Sequence, residues 1–337
     1  MKAYELVLPP RIPAETGSEI NIYFDNLITG NADRYDFAAV SEIGRHLNER
    51  WTAVPDKPGD YKLRIEVYDD HGDRLSAADT VIHVRDKQQS GHAKRILFIG
   101  DSITGAGRYT QELLQLFARD DMPYSLAGSR GSYPNVHEGR GGWTVSKFFI
   151  DQESPFVTDG AFSFKHYINT HNIDRVTDVG VFLGINDIFH PTADHEAESI
   201  IDRHFAMLEA MFEDIRRFDS GIHIHLIMPI PPSRFQDSFG YNYGAGQTRK
   251  RFKRNLLLWN AAILKRFSQR AGEGITLIPA YVNLDTVHNM ETAEEAVNSR
   301  NSSTVIRQSN GVHPAEAGYL QIADIIYYGL KNQAERI

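Results

Sequence analysis

The 337-residue sequence predicts an α/β protein, a parallel sheet with helices on both faces, preceded by a small all-β region. Two observations carry this. From residue 94 onward, apolar β-type runs alternate with helical patterns, which is the order of a parallel sheet covered on both sides. Before residue 88 the hydrophobic period is two and the runs are separated by turn residues. The boundaries read as 1–88 for the β region, 89–93 for a polar linker and 94–337 for the α/β domain.

In chain order, Ile20, Ile22 and Phe24 alternate with polar neighbours. Tyr61, Leu63, Ile65 and Val67 do so again after Pro58-Gly59-Asp60. The turn Asp69-Asp70-His71-Gly72 then leads into Thr80-Val81-Ile82-His83-Val84. Two alternating runs joined by an Asp/Gly turn predict a hairpin, and the set predicts a small antiparallel sandwich. That hairpin resembles the closing strands of immunoglobulin-like domains, so the expected accessory fold is an immunoglobulin-like or jelly-roll sandwich.

The second region opens on Ile96-Leu97-Phe98-Ile99, an uninterrupted apolar run as expected of a strand covered on both faces, followed by Gly100 for a tight exit. Further strands are predicted at 124–128, 178–184, 222–228 and 275–280. Helices are predicted at 106–119, 196–218, 249–270 and 315–332. Two long stretches, 129–172 and 229–248, read as non-regular, and loops of that length in a compact domain are usually functional or disordered.

Composition excludes several classes. Hydrophobic residues make up 41% and charged residues 24%, which is globular composition, and the formal net charge of -8 argues against general nucleic-acid affinity. The basic run Arg249-Lys250-Arg251-Phe252-Lys253-Arg254 reads as the solvated face of a helix. No apolar run approaches the ~20 residues that cross a bilayer. The N-terminus shows no signal-peptide pattern, which reads as cytoplasmic for a complete chain and as secreted or periplasmic if a leader has been removed. With no cysteine there is no thiolate nucleophile or Cys-ligated zinc. His223 and His225 share a strand face but have no further ligand spacing around them, so neither metal nor cofactor is expected. Nothing in the sequence sets an oligomeric state.

Hydrolysing an ester through a serine needs a nucleophile, a base and donors for the oxyanion, and the chain offers all three at separate strand ends. Gly100-Asp101-Ser102 supplies a hydroxyl just past the carboxyl end of a buried strand. Gly311-Val312-His313-Pro314, before the last helix, supplies an imidazole. Its ordinary pKa near ~6.5 suits a general base at neutral pH. Gly184-Ile185-Asn186-Asp187 follows the third strand, and Gly139 to Thr144 form a glycine-dense turn after the second.

These four blocks, in this order, resemble those of the SGNH hydrolases, also called GDSL esterases and lipases. The likeness covers residues 94 to about 333. It implies a flavodoxin-like three-layer α/β/α domain and two-step acyl transfer through Ser102, with His313 as base. It also implies an oxyanion hole formed by the N–H groups of Ser102 and Gly142 and the side chain of Asn186. The Gly-x-Ser-x-Gly elbow of the α/β-hydrolases is absent. Within the superfamily, an N-terminal β region and aromatic loops look more like carbohydrate esterases acting on small-molecule or oligosaccharide esters than like lipases. Trp143, Tyr241 and Tyr243 are the expected substrate-contacting aromatics, with packing as the competing role of each.

One position departs from the resemblance. The family usually has an aspartate three residues before the histidine, and here that residue is Asn310. Three readings follow: a Ser-His dyad with the ring held by a backbone carbonyl or by Asn310; a carboxylate from elsewhere, such as Asp285 or Glu316; or a slow enzyme. Asn310 is also the one feature that favours a different class, a non-catalytic glycan- or protein-binding protein on a degenerate hydrolase scaffold. A lipase or thioesterase of the same superfamily is a further alternative.

Overall fold

The computed structural model describes residues 1–87, 92–243 and 246–331, so most of the expected 89–93 linker lies outside the described residues. The sheet is built around Lys94–Gly100, whose Ile96, Leu97, Phe98 and Ile99 are all fully buried. A strand apolar on both faces is stable only where both faces are covered. On one side it pairs in parallel with Asp178–Phe182, and His223–Ile227 and Ile275–Ile278 follow outward. On the other side it pairs with Tyr124–Ala127 along its first half and with Asn135–Gly139 at its end. Counting that divided edge as one strand, the spatial order is 2-1-3-4-5. This is the flavodoxin-like order, in which the crevice for chemistry opens at the carboxyl ends of the first and third strands, where the winding reverses.

Helices cover both faces. Arg108–Arg119 packs with Glu316–Lys331, and Asp194–Phe218 packs with Arg249–Phe267. Thr248 starts the last of these by accepting from the Arg251 N–H at 3.2 Å. That helix then buries Phe252, Leu256, Trp259, Ile263 and Phe267 at three- and four-residue spacing, one stripe on one face.

The first 85 residues form two sheets. One has the order Arg11–Glu15, Arg74–Arg85, Gly59–Tyr68, Asp36–Ser41; the other runs Ile20–Tyr23, Arg50–Ala53, Arg45–His46. The predicted hairpin is present, with Tyr61 opposite Ile82 and Leu63 opposite Thr80. Leu63, Ile65 and Val67 point into the core, as the period-two pattern requires. This region is tied to the rest by buried polar contacts. The Asn21 N–H donates to Asn283 Oδ1 at 2.9 Å, the Asn26 amide to the carbonyls of Tyr281 and Leu284, and Tyr281 Oη to the Val7 carbonyl.

Three expectations are corrected. The run Arg249 to Arg254 is not a solvated face: Arg249 and Lys253 are buried against Asp25, and Arg251 and Arg254 hold Asp194. Burial alone would raise the Asp25 carboxyl, but the Lys253 and Arg249 charges outweigh it and hold it well below the carboxylate range. The stretch 129–172 contains Asn135–Gly139, a strand of the main sheet, and the helix Phe164–Thr170. The stretch 229–248 contains the helix Asp237–Tyr243. His225 is bonded to Asp178 at 2.8 Å and His223 to Thr276 at 2.9 Å, so each of these two histidines has an ordinary structural partner. Among the described residues no helix is long and apolar enough to cross a membrane.

Candidate active site

Gly100 ends the central strand and lets the next turn fold tightly over it. A Cβ at this position would lie 2.0 Å from Thr104 Oγ1 and 3.0 Å from the Phe182 carbonyl oxygen. Asp101 then caps the single helical turn Ser102–Gly105, its side chain accepting from the Ile103 N–H at 2.9 Å. Ser102 is the first residue of that turn. Its N–H is one of the donors a helix start leaves free, and it has no acceptor among the described residues.

His313 reaches the same place from the other end of the chain, with Nε2 2.8 Å from Ser102 Oγ. Nδ1 has no hydrogen-bond partner among the described residues. Burial lowers the imidazole pKa below its ordinary 6.5, and the charge of Glu291 opposes this. A neutral ring beside the hydroxyl is the form that accepts its proton.

The glycine-dense turn is placed by the Asn135–Gly139 strand, whose Gly139 pairs with Gly100. The Arg140 N–H donates to the Gly100 carbonyl at 2.9 Å, and the Trp143 N–H closes a turn onto the Arg140 carbonyl at 3.1 Å. Gly142 takes φ +72° within it, the left-handed value required at the third position of a type II turn, and a Cβ there would meet nothing within 4 Å. Gly142 is exposed, and its N–H has no acceptor among the described residues.

Asn186 follows the Asp178–Phe182 strand, whose Phe182 also pairs with Gly100. Its Nδ2 donates to the Trp143 carbonyl at 3.1 Å, which sets the side chain against the glycine turn. Asp187 fixes the same junction from below. Its Oδ1 accepts from the Val145 N–H at 2.9 Å and contacts His204 Nδ1 at 2.5 Å, while Oδ2 is buried with no partner among the described residues. Burial pushes the Asp101 carboxyl up to about 7, the Ile103 N–H opposing and the nearby Asp187 charge adding. Ser102, His313, Gly142 and Asn186 are thus gathered around the end of one strand.

The remaining residues are placed differently. Asn310 does not hold the imidazole. Its Oδ1 accepts from the backbone N–H groups of Val312 and His313, both at 3.0 Å, and its Nδ2 donates to Glu291 Oε2 at 3.2 Å. Neither suggested substitute carboxylate is bonded to His313: Asp285 holds His288 and the turn after itself, and Glu316 faces Arg108. Trp143 is buried edge-on to Phe148 with the Arg140 guanidinium over its ring, the position of a packing anchor. Tyr241 is 68% exposed, and Tyr243 packs on Phe189.

Tyr241 lines a cleft of about 450 Å³ between the Asp237–Tyr243 helix and an exposed hairpin, Thr292–Asn298 with Asn301–Gln308. Asp237, Glu295 and Arg307 also line it, and its edge at Ser309 adjoins Asn310. His204 and Glu291 were not anticipated from sequence. His204 lies mid-helix with no motif around it, and the hairpin separates Glu291 from the residue it contacts.

No protein-family model matches the chain, and no curated protein matches it. Several solved structures align with part of the chain. The carbohydrate acetylesterase Est24 from Sinorhizobium meliloti is 14% identical, with 71% of this chain and 99% of that one covered at a TM-score of 0.40. A GDSL-like lipase from Bacteroides thetaiotaomicron is 16% identical over 72% of this chain and 88% of its own, with a TM-score of 0.38. A lipase from a goat rumen metagenome is 13% identical over 72% and 100%, with a TM-score of 0.42.

Proposed function

We propose that this chain is a serine ester hydrolase of the SGNH type. The observation that carries the reading is the 2.8 Å contact between His313 Nε2 and Ser102 Oγ at the switch point of the sheet. In the proposed reaction His313 takes the Ser102 proton as Oγ attacks the acyl carbon, and returns it to the leaving alcohol. An acyl-enzyme forms on Ser102, and a water activated by the same ring then releases the acid. The N–H groups of Ser102 and Gly142 and the Nδ2 of Asn186 are the donors for the oxyanion. Nδ2 has a second proton beyond the one given to Trp143, and the two backbone groups have no protein acceptor among the described residues.

Residues 1–88 are read as a β-sandwich accessory domain, supported by their two sheets. The substrate class proposed is short-chain, chiefly acetyl, esters of carbohydrates. The cleft beside Ser309 supports it, because an exposed tyrosine with Asp237, Glu295 and Arg307 suits a sugar's ring face and hydroxyls better than an acyl tail. Initial rates on acetylated sugars and on acetyl, butyryl and octanoyl nitrophenyl esters test both parts. The expected order is acetyl first, with all turnover lost in Ser102→Ala. Preference for octanoyl would overturn the substrate class, and turnover surviving in Ser102→Ala would overturn the mechanism.

A further inference from the structure

We propose that Glu291, held on the histidine loop by Asn310, supplies the negative charge that the histidine of this site otherwise lacks. This rests on the reading of Ser102 and His313 as nucleophile and base. Glu291 is a positioning residue here, since it touches Asn310 and not the ring.

The geometry is closed on every side. The segment 289–291 is zipped to the histidine loop: the Ser309 N–H donates to the Glu291 carbonyl at 2.9 Å, Met290 bridges to Pro314, and the Ala315 N–H donates to the Asn289 carbonyl at 3.0 Å. Glu291 is therefore carried on the same small frame as His313. The Asn310 amide is fixed from both ends. Two N–H donors face one end and a carboxylate faces the other, so the oxygen points to the backbone of Val312 and His313 and the nitrogen to Glu291. An aspartate at 310 would place one carboxylate against another, and one of them would have to keep a proton.

The Glu291 charge favours the imidazolium of His313, against the burial that disfavours it. The other groups around it are Tyr243 on the short helix and Tyr319 on the last helix, both raised first by burial and so neutral at working pH. Beyond Tyr319 lie Arg108, stacked over its ring and paired with Glu316, and the buried Asp101. When His313 takes the serine proton, the Glu291 charge favours the imidazolium that forms, and Asn310 holds that carboxylate on the histidine loop.

The test uses the full chain, with rates on nitrophenyl acetate from pH 5 to 9. Glu291→Gln keeps an acceptor for Asn310 and removes only the charge. Its kcat is expected to fall about 10-fold with KM nearly unchanged, and its acid limb to move to lower pH. The double variant Glu291→Gln with Asn310→Asp restores one carboxylate to the loop and is expected to recover kcat and the acid limb. A folded Glu291→Gln with unchanged kcat and acid limb would overturn the inference. Should that variant not fold, a folded double variant without wild-type activity at neutral pH would do so. A wild type with no Ser102-dependent turnover would instead overturn the esterase reading, and this inference with it.

Discussion

His313 Nε2 lies 2.8 Å from Ser102 Oγ, although 211 positions separate the two residues in the chain. The serine is held by a capped turn at the end of the central strand. The histidine is held by a loop stitched to residues 289–291. Both are fixed by backbone hydrogen bonds, so the contact belongs to the fold.

The pH dependence of kcat/KM follows from the burial of His313. Its pKa lies below 6.5, and the neutral ring is the form that the proposed mechanism uses. Activity is therefore expected to rise with pH through a single acid limb whose midpoint is below that of free imidazole, and to be level at neutral pH. A rate profile from pH 4.5 to 8 measures it.

Asn186→Ala removes one proposed oxyanion donor. A fall in kcat of about 10²–10³ is expected, with KM little affected, because the donor strengthens its bond only as charge develops on the acyl oxygen. Steady-state kinetics on an acetyl ester, with a melting curve to show that the Trp143 contact is not needed for folding, is the check.

Asp101 makes stability depend on pH. Its carboxyl is raised in the folded chain to about 7, so between about pH 4 and 7 the native state keeps a proton that the unfolded chain has released. Stability from this group is lost as pH rises through that window. Asp101→Asn keeps a cap and removes the titration. It is expected to be more stable than wild type above pH 7, by up to about 4 kcal/mol, and equal to it near pH 4. Denaturant melts at the two pH values decide this.

Asp25 bears on how the N-terminal sheets are held. Asp25→Asn leaves Arg249 and Lys253 buried without their counter-charge. A loss of about 3–5 kcal/mol of stability is expected at neutral pH. Burial brings the Lys253 ammonium down to about 8 even with Asp25 beside it, and lower still without that charge, so the loss should shrink as pH rises toward 8 and the variant's amine discharges.

Much of this was legible in the sequence, and the exceptions have a common cause. Ile96 to Ile99 marked the central strand because burial on both faces leaves no polar positions, and the Ser102 and Asn186 blocks followed strand ends that the same logic located. Asn135–Gly139 escaped because its Glu138, fully buried, looks like a loop residue until Arg140 and Tyr167 are seen to satisfy it. The exposed hairpin 292–308 has no apolar face to betray it. The run at 249–254 was misread because its partner Asp25 lies more than 220 residues away in sequence. Asn310 was visible as a departure, but Glu291 behind it was not, since only the folded hairpin brings the two together. Periodicity reports burial, and it is silent on which distant charge makes burial tolerable.

The central claim is that Ser102 is a nucleophile activated by His313. Its most direct test is covalent labelling of the full chain by a fluorophosphonate, read by intact mass and site mapping. One label is expected on Ser102 of the wild type, none on Ser102→Ala, and labelling slowed at least 10³-fold in His313→Ala. A folded wild type that takes no label, or a label that persists in Ser102→Ala, would contradict it.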